Sequence, residues 1–431
     1  MKLKYRNLVL LYFICFWMLP NYFGVKFSGM PLITVQRALL IFLLFWTFCS
    51  KGKLNQTIFE FRNCCYTERY FLLMFFLSAC ITGARNGMNS FFNPLFDYII
   101  PYIIFFTAYH CFYSFRDLCK VMNGMLVILC LFGIVEFLFH VNVFDYLNTG
   151  MTDLNYGSLT RGNDLRICTA FGHPLAYSMI LNMALPLMCY NIKLNKIDFL
   201  YKKWTILLIA VNILLTGSRS GIAVFIVESL LIILLTDKNL AGRTYLYLFM
   251  AGAMAIAVIL IANRNPIVQN ILRSILYVVD ELLGTKYALR YGGSSSITQS
   301  SQYRKILWEL LSYKDLFTYF GHGNEYKISI RIGTWFVESI DNYYINQYLK
   351  YGLIGVIIIV SLMLQYIYRL LKNAICCNMS KKLLCYLFLI SAVGYLCSLL
   401  VADEIGTMRI MFSIMAIAEV YCFNRKDGFS A

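Results

Sequence analysis

Twelve long runs of mostly apolar residues leave this chain few folds to choose from. They cover about 8–24, 31–49, 70–84, 95–113, 121–140, 171–190, 203–217, 220–236, 244–262, 343–368, 383–401 and 406–423. Many approach the roughly 20 residues needed to cross a hydrocarbon core. A spanning backbone must satisfy its own hydrogen bonds, so such runs are helices. A β-barrel would need short alternating strands, whereas these runs are continuous. Only 14% of the 431 residues are charged, against roughly a quarter in soluble domains. The reading is an all-α polytopic integral membrane protein of about 12 transmembrane helices. It forms one membrane domain, 1–431, with no soluble domain.

The formal net charge of +16 raises the question of nucleic acid, and its distribution answers against it. With the N-terminus on the cytoplasmic side, the inner segments hold more than half of the 38 Lys and Arg. Lys2, Lys4 and Arg6 lie there, as do Lys193, Lys196, Arg369 and Lys372. The short outer connections carry only Lys26, Arg37, Arg85, Arg219 and Arg409. That asymmetry is a topology signal, with an anionic inner leaflet as the neighbour. The first 24 residues resemble a signal peptide, but no small-x-small site precedes Pro20, so a retained first helix is expected. The 15 Cys fall almost entirely in spans or inner segments, so no disulfide framework is implied.

Two outer, periplasmic loops interrupt the apolar pattern. The first, 141–170, carries Asp145, Asp153, Arg161, Asp164 and Arg166. The second, 263–342, is the longest polar stretch and the expected catalytic loop. Its portion 267–290 has apolar residues at helical spacing and reads as an amphipathic helix along the interface. The segment 301–311 reads helical again, and Phe320-Gly321-His322-Gly323-Asn324 reads as a turn.

Arginine in the run Thr216-Gly217-Ser218-Arg219-Ser220-Gly221 is costly unless it meets negative charge or water. A helix ends near Thr216 and another begins a few residues later. Arg219 is then held beside a helix N-terminus, where free N–H groups also favour anions. Together they suit a pyrophosphate, gripped by bidentate contacts. The plain alternative is a side chain snorkelling to the interface. Arg304 and Trp308, at i and i+4 on the 301–311 helix, suit a sugar phosphate: the ring packs a pyranose face and the guanidinium takes the charge. An ordinary amphipathic surface helix explains them as well. Arg166 is a further anion candidate.

Glu338-Ser339-Ile340-Asp341-Asn342 places an acidic pair where the long loop re-enters the membrane. Partial burial there would make a carboxylate a usable general base. Asp341 could equally cap the helix that follows. His322 could bind a sugar hydroxyl or stabilise its turn. His173, before Pro174, reads as a cap, and His110 and His140 stand isolated at span ends. No His and carboxylates fall at metal spacing; Asp403-Glu404 is a residual candidate that an interfacial acidic pair explains more simply.

The spacing Asp341-Asn342, nine residues, Gly352, two residues, Gly355 resembles the signature of the O-antigen ligase and polymerase superfamily. The Thr216–Gly221 turn is similar to that superfamily's Arg turn. Arg304 with Trp308, then Gly321-His322-Gly323, resembles its outer-loop helix and turn, and Phe171-Gly172-His173-Pro174 a further shared stretch. Order and spacing fit across 171–355. The ligases carry His where this chain has Asp341, a departure that points to a Wzy-type O-antigen polymerase. The resemblance implies a glycosyltransferase that joins undecaprenyl-pyrophosphate-linked oligosaccharide units, with inversion, at the periplasmic face of a bacterial inner membrane. Arg219, Arg304 and Arg166 would hold the pyrophosphate. Asp341, with Glu338 as alternative, would be the base, and Trp308, His322 and Asn342 would contact sugar. No cofactor or metal is expected, and a chain-length regulator is a candidate partner. The rivals are a ligase of the same superfamily and a lipid-oligosaccharide flippase; the latter would use Glu136 and Glu228 along a polar path.

Overall fold

The computed structural model describes residues 5–26, 32–64, 66–149, 160–161, 164–261, 265–290, 296–313, 316–403 and 406–423. Among them helix dominates, and strand is confined to four short antiparallel hairpins. Each of the twelve apolar runs coincides with a helix. Among the described residues four helices are long and apolar enough to cross a bilayer, Asn89–Cys111, Phe115–Phe139, Tyr343–Cys376 and Met379–Ser398, and the bent pair Val35–Cys49 with Leu54–Arg62 makes a fifth if it is one span. Others are shorter. Tyr5–Met18 has 14 residues, Pro174–Met188 has 15 and Lys203–Leu215 has 13. At about 1.5 Å per residue these reach roughly 20 Å, less than a core of about 30 Å.

The shortening has local causes. His173 caps Pro174–Met188, its Nδ1 accepting from the Leu175 amide at 3.1 Å, and Pro174 occupies the first turn, where its missing N–H costs nothing. Ser218 caps Arg219–Leu235, its Oγ accepting from the Gly221 amide at 3.1 Å. Both polar caps keep their termini from extending further.

Pro174–Met188 is the centre of the bundle. Nearly every one of its residues is buried, against Met379–Ser398, Arg219–Leu235 and Lys203–Leu215. A second knot of aromatic rings (Tyr12, Phe13, Phe16, Phe105 and Tyr109) locks the first helix to Ile100–Phe112. The outward faces are apolar as well: Phe45, Leu234, Phe249 and Ile375 are largely exposed. An exterior of that kind is untenable in water and matched by lipid. The chain is an all-α membrane protein.

One expected span is not continuous. Tyr343–Cys376 breaks at Gly352, with φ 72° and ψ −173°. Residues 343–351 form a short separate helix, and the longer apolar part follows the kink.

The described parts of the long connection 265–342 carry helices and a hairpin. Its amphipathic helix runs Pro266–Leu283 rather than to 290. Gly284, at φ 68°, ends it, because only glycine adopts this backbone without strain. Asp280 then folds the chain back, accepting from the Thr285 hydroxyl and from the Tyr287 and Ala288 amides. Ser296–Leu307 is helical and tightens to a 3₁₀ turn at Trp308–Ser312. A hairpin, Ile330–Ile332 with Trp335–Val337, was not expected from the sequence. A small core of Leu307, Leu310, Leu316, Val337 and Leu349 joins these pieces to residues 343–351.

Candidate functional site

Arg219 is 5% exposed at the first position of its helix. Gly217 makes the turn before it at φ 57°. A Cβ on Gly221 would lie 2.5 Å from the Ser178 hydroxyl, so glycine is what lets this turn press against Pro174–Met188. The Arg219 Nη1 donates to the Glu281 carboxylate at 3.0 Å, which comes from the amphipathic helix of the long connection.

Arg166 arrives from the other connection. Its Nε donates to the Thr216 carbonyl at 2.9 Å, and its aliphatic stem lies across Gly217. The segment that carries it is pinned from two sides. The Ile167 amide donates to the Leu215 carbonyl. The buried Glu136 carboxylate accepts from the Cys168 amide at 3.1 Å and the Thr169 amide at 2.8 Å. The Asn142 amide nitrogen donates to the Thr169 carbonyl at 2.9 Å. Glu136 is thus spent on positioning the backbone next to Arg166.

Arg304 completes the group. Its charge acts on Arg219 together with those of Glu281 and Tyr277, and its buried Nε has no hydrogen-bond partner. Arg166, Arg219 and Arg304 therefore converge around one helix N-terminus, with the Glu281 carboxylate as counter-charge.

The same short helix reaches the acidic pair. Tyr303, next to Arg304, donates its hydroxyl to the Ser339 carbonyl at 2.5 Å. Burial raises the Tyr303 phenol above its ordinary value; the backbone bond to Ser339 opposes this and the Asp341 and Glu338 carboxylates add to it. Asp341 is half-buried and accepts from the Ser339 hydroxyl at 3.2 Å. Glu338 is exposed. The helix cap is Asn342, not Asp341: its Oδ1 accepts from the Ile345 amide at 3.2 Å and its Nδ2 donates to the Leu400 carbonyl at 2.9 Å. With both ends of its amide committed, Asn342 is placed as a structural residue.

Trp308 is about half exposed, at the start of the 3₁₀ turn. His322 lies elsewhere. Its ring stacks on Tyr326 with centroids 4.5 Å apart, and its amide donates to the Leu349 carbonyl at 2.7 Å. Gly323 donates to the Lys350 carbonyl at 3.0 Å. Added Cβ atoms at Gly321 and Gly352 would each come within 2.5 Å of the opposing backbone. The Gly-His-Gly turn and the Gly352 kink, far apart in sequence, are two halves of one docking contact.

No protein-family model matches the chain, and no curated protein is similar enough to count as a relative.

Glu281, Tyr303 and Glu136 as a positioning group were not assigned to the site by sequence reading. A lone carboxylate inside the apolar run 121–140 was the only available signal, for Glu136. His110 is not isolated: its Nε2 lies 3.0 Å from the Glu60 carboxylate. His140 closes its helix in the left-handed conformation, φ 56°. Glu228 is 2% exposed, its carboxyl oxygens are without hydrogen-bond partners, and it lies against Gly394. Asp403 accepts from the Asn346 side chain. Asp153 and Glu404 lie outside the described residues.

Proposed function

We propose that this chain is a membrane-embedded glycosyltransferase, an O-antigen polymerase that uses lipid-pyrophosphate-linked oligosaccharides. The observation that carries the reading is the grouping of Arg166, Arg219 and Arg304 around one helix N-terminus, where Glu281 pairs with Arg219. Three guanidinium groups brought into one partly desolvated place repel one another, so their natural complement is an anion of more than one charge. A diphosphate leaving from an anomeric carbon is such an anion. Preorganised cations stabilise the charge that develops on it as the glycosidic bond to phosphate breaks.

In this reading the twelve helices all cross the bacterial inner membrane, and 141–170 and 263–342 lie on the periplasmic side. The acceptor hydroxyl attacks the anomeric carbon from the face opposite the departing diphosphate, which inverts the centre. Asp341 takes the hydroxyl proton. It is better placed than exposed Glu338, since it is half-buried and sits next to the helix that presents Arg304. The Ser339 hydroxyl and the Tyr303 bond to Ser339 fix the loop around it. Glu281, drawn to Arg219, shares or yields the guanidinium when the diphosphate binds.

The test is polymer banding in a strain that lacks the chain and is complemented with variants. Arg219→Ala is expected to give single repeat units and no ladder, with a rate loss of roughly 10²–10³-fold, as for loss of one preorganised donor. Arg219→Lys is also expected to be impaired, because a point charge cannot reproduce a planar fork. A full ladder from Arg219→Ala would end the reading. Absence of even one repeat unit in the strain without the chain would instead favour the ligase.

A further inference from the structure

A second cationic site is built from different helices. A cavity of about 380 Å³ is lined by Lys26, Arg37, Asp97, Gln347, Lys350 and Arg409. That volume is in the range of small-molecule sites. Asn324, from the turn after His322, also lines it, which ties it to the connection that carries Arg304.

Its charges do not cancel. Asp97 is taken by Arg37 in a bidentate pair, at 3.0 Å to Nε and 2.6 Å to Nη2, and Asn93 accepts from the same Nη2 at 2.8 Å. Among the described residues no ion pair joins Lys26, Lys350 or Arg409 to a carboxylate, although the Asp97 charge also reaches Arg409. Arg409 is 6% exposed. It donates to the backbone carbonyls of Gly406 at 3.2 Å and Leu19 at 3.3 Å, and its plane lies over Phe16. Holding an arginine that deep is costly, and Asp97, already bound by Arg37, is shared between the two guanidinium groups. Gln347 is 3% exposed and its Oε1 has no partner. Burying an unpaired amide oxygen is costly, so a positioned amide in a polar cavity points to a ligand group.

We infer that this cavity binds a second lipid-borne phosphate or diphosphate, with Arg409 and Lys350 on the phosphate oxygens and Gln347 on an adjoining sugar hydroxyl. The division of labour follows from chemistry: guanidinium and ammonium groups take charged oxygens, while neutral amides read hydroxyls. The identity of the ligand rests on the proposed glycosyl transfer, in which two diphosphate-linked lipids must be held at once. The guanidinium cluster around Arg219 would hold the donor, and this cavity the acceptor. The lipid phosphate could also be that of a bilayer phospholipid.

The experiment is calorimetric titration of the full chain, in nanodiscs of neutral phosphatidylcholine, with farnesyl diphosphate. Wild type is expected to bind two equivalents. Lys350→Gln, a half-exposed change that leaves folding intact, should weaken one of them about tenfold, the scale of one charged hydrogen bond. Lys350→Gln with Arg409→Gln should remove that equivalent and spare the other. Arg219→Gln with Arg304→Gln should do the converse. Melting temperature checks the fold of each variant. Two equivalents persisting unchanged in both Lys350 variants overturn the inference, as does a single wild-type equivalent that depends on Arg219. A single equivalent that depends on Lys350 and Arg409 supports the cavity and removes the Arg219 site instead. Repeating the titration in nanodiscs containing phosphatidylglycerol separates the sources: suppression of the Lys350-dependent equivalent alone assigns the cavity to a phospholipid headgroup.

Discussion

Asp341 and Asn342 divide between them two roles that the sequence left on one residue. Asn342 caps the helix and bonds Leu400, so Asp341 is free of that duty and its substitution reads on chemistry alone. Asp341→Asn is expected to abolish polymer formation with little change in thermal stability, measured together on the same purified variant. A variant that keeps wild-type polymer would remove Asp341 as the base. Glu228 makes the opposite case. An ionised carboxylate buried without partners is expensive, and nothing around this one uses the charge. Glu228→Gln should therefore leave polymer length unchanged and hold or raise the melting temperature. A transporter that moves charge past Glu228 would lose function with that change. Neither pairing, of Asn342 with Leu400 or of Glu228 with Gly394, is visible from the residues alone, because each joins positions on separate elements.

Glycine does at the scale of elements what the caps do for residues. The apolar run 343–368 reads as one span since every residue in it suits a membrane helix. What breaks it is the approach of another backbone: Gly352 accommodates Tyr319 and Gly321 at distances that no Cβ permits. Gly352→Ala would add that clash to a left-handed backbone. It should lower the melting temperature and detach the 320–324 turn, which faster deuterium uptake in that turn would report. Uptake equal to wild type would mean that the turn docks independently of the kink. Glu136 is the corresponding device on the other connection. Its carboxylate accepts from the Cys168 and Thr169 amides and holds them in place beside Arg166, so Glu136→Ala leaves two buried N–H groups unpaired, at about 1–3 kcal/mol each. The expected result is a loss of polymer together with a loss of stability, whereas Arg166→Ala should lose polymer with the fold largely kept.

Across the whole molecule, charge is divided between two ends. At the end away from the long connection, Arg369 is gripped by Glu68 and by Glu419, the latter at 2.9 and 3.0 Å. Its positive charge looks like one more inner-side topology residue in sequence, yet it is consumed inside the bundle. Arg369→Ala would strand two buried carboxylates and should cost about 3–5 kcal/mol, read as a lower melting point in detergent. A change within error would show that these acids reach water. Away from Arg369, Arg166 and Arg304 flank Arg219 at the start of its helix, which is the pattern on which the functional reading rests. The apolar runs declared the class of fold and where its apolar helices lie, because burial in lipid and backbone hydrogen bonding act residue by residue along the chain; the polar helix Lys51–Cys64 they left unmarked. Gly217, Ser218 and Arg219 likewise declared a turn with a cation beside a helix start, a local matter of φ angles and capping. Tertiary structure alone decided that Arg166, Arg219 and Arg304 meet, that Glu281 faces them, and that a cavity opens around Lys350 and Arg409. Those outcomes depend on how separate helices pack, and packing partners 50 to 400 residues apart leave no periodic trace in a single sequence.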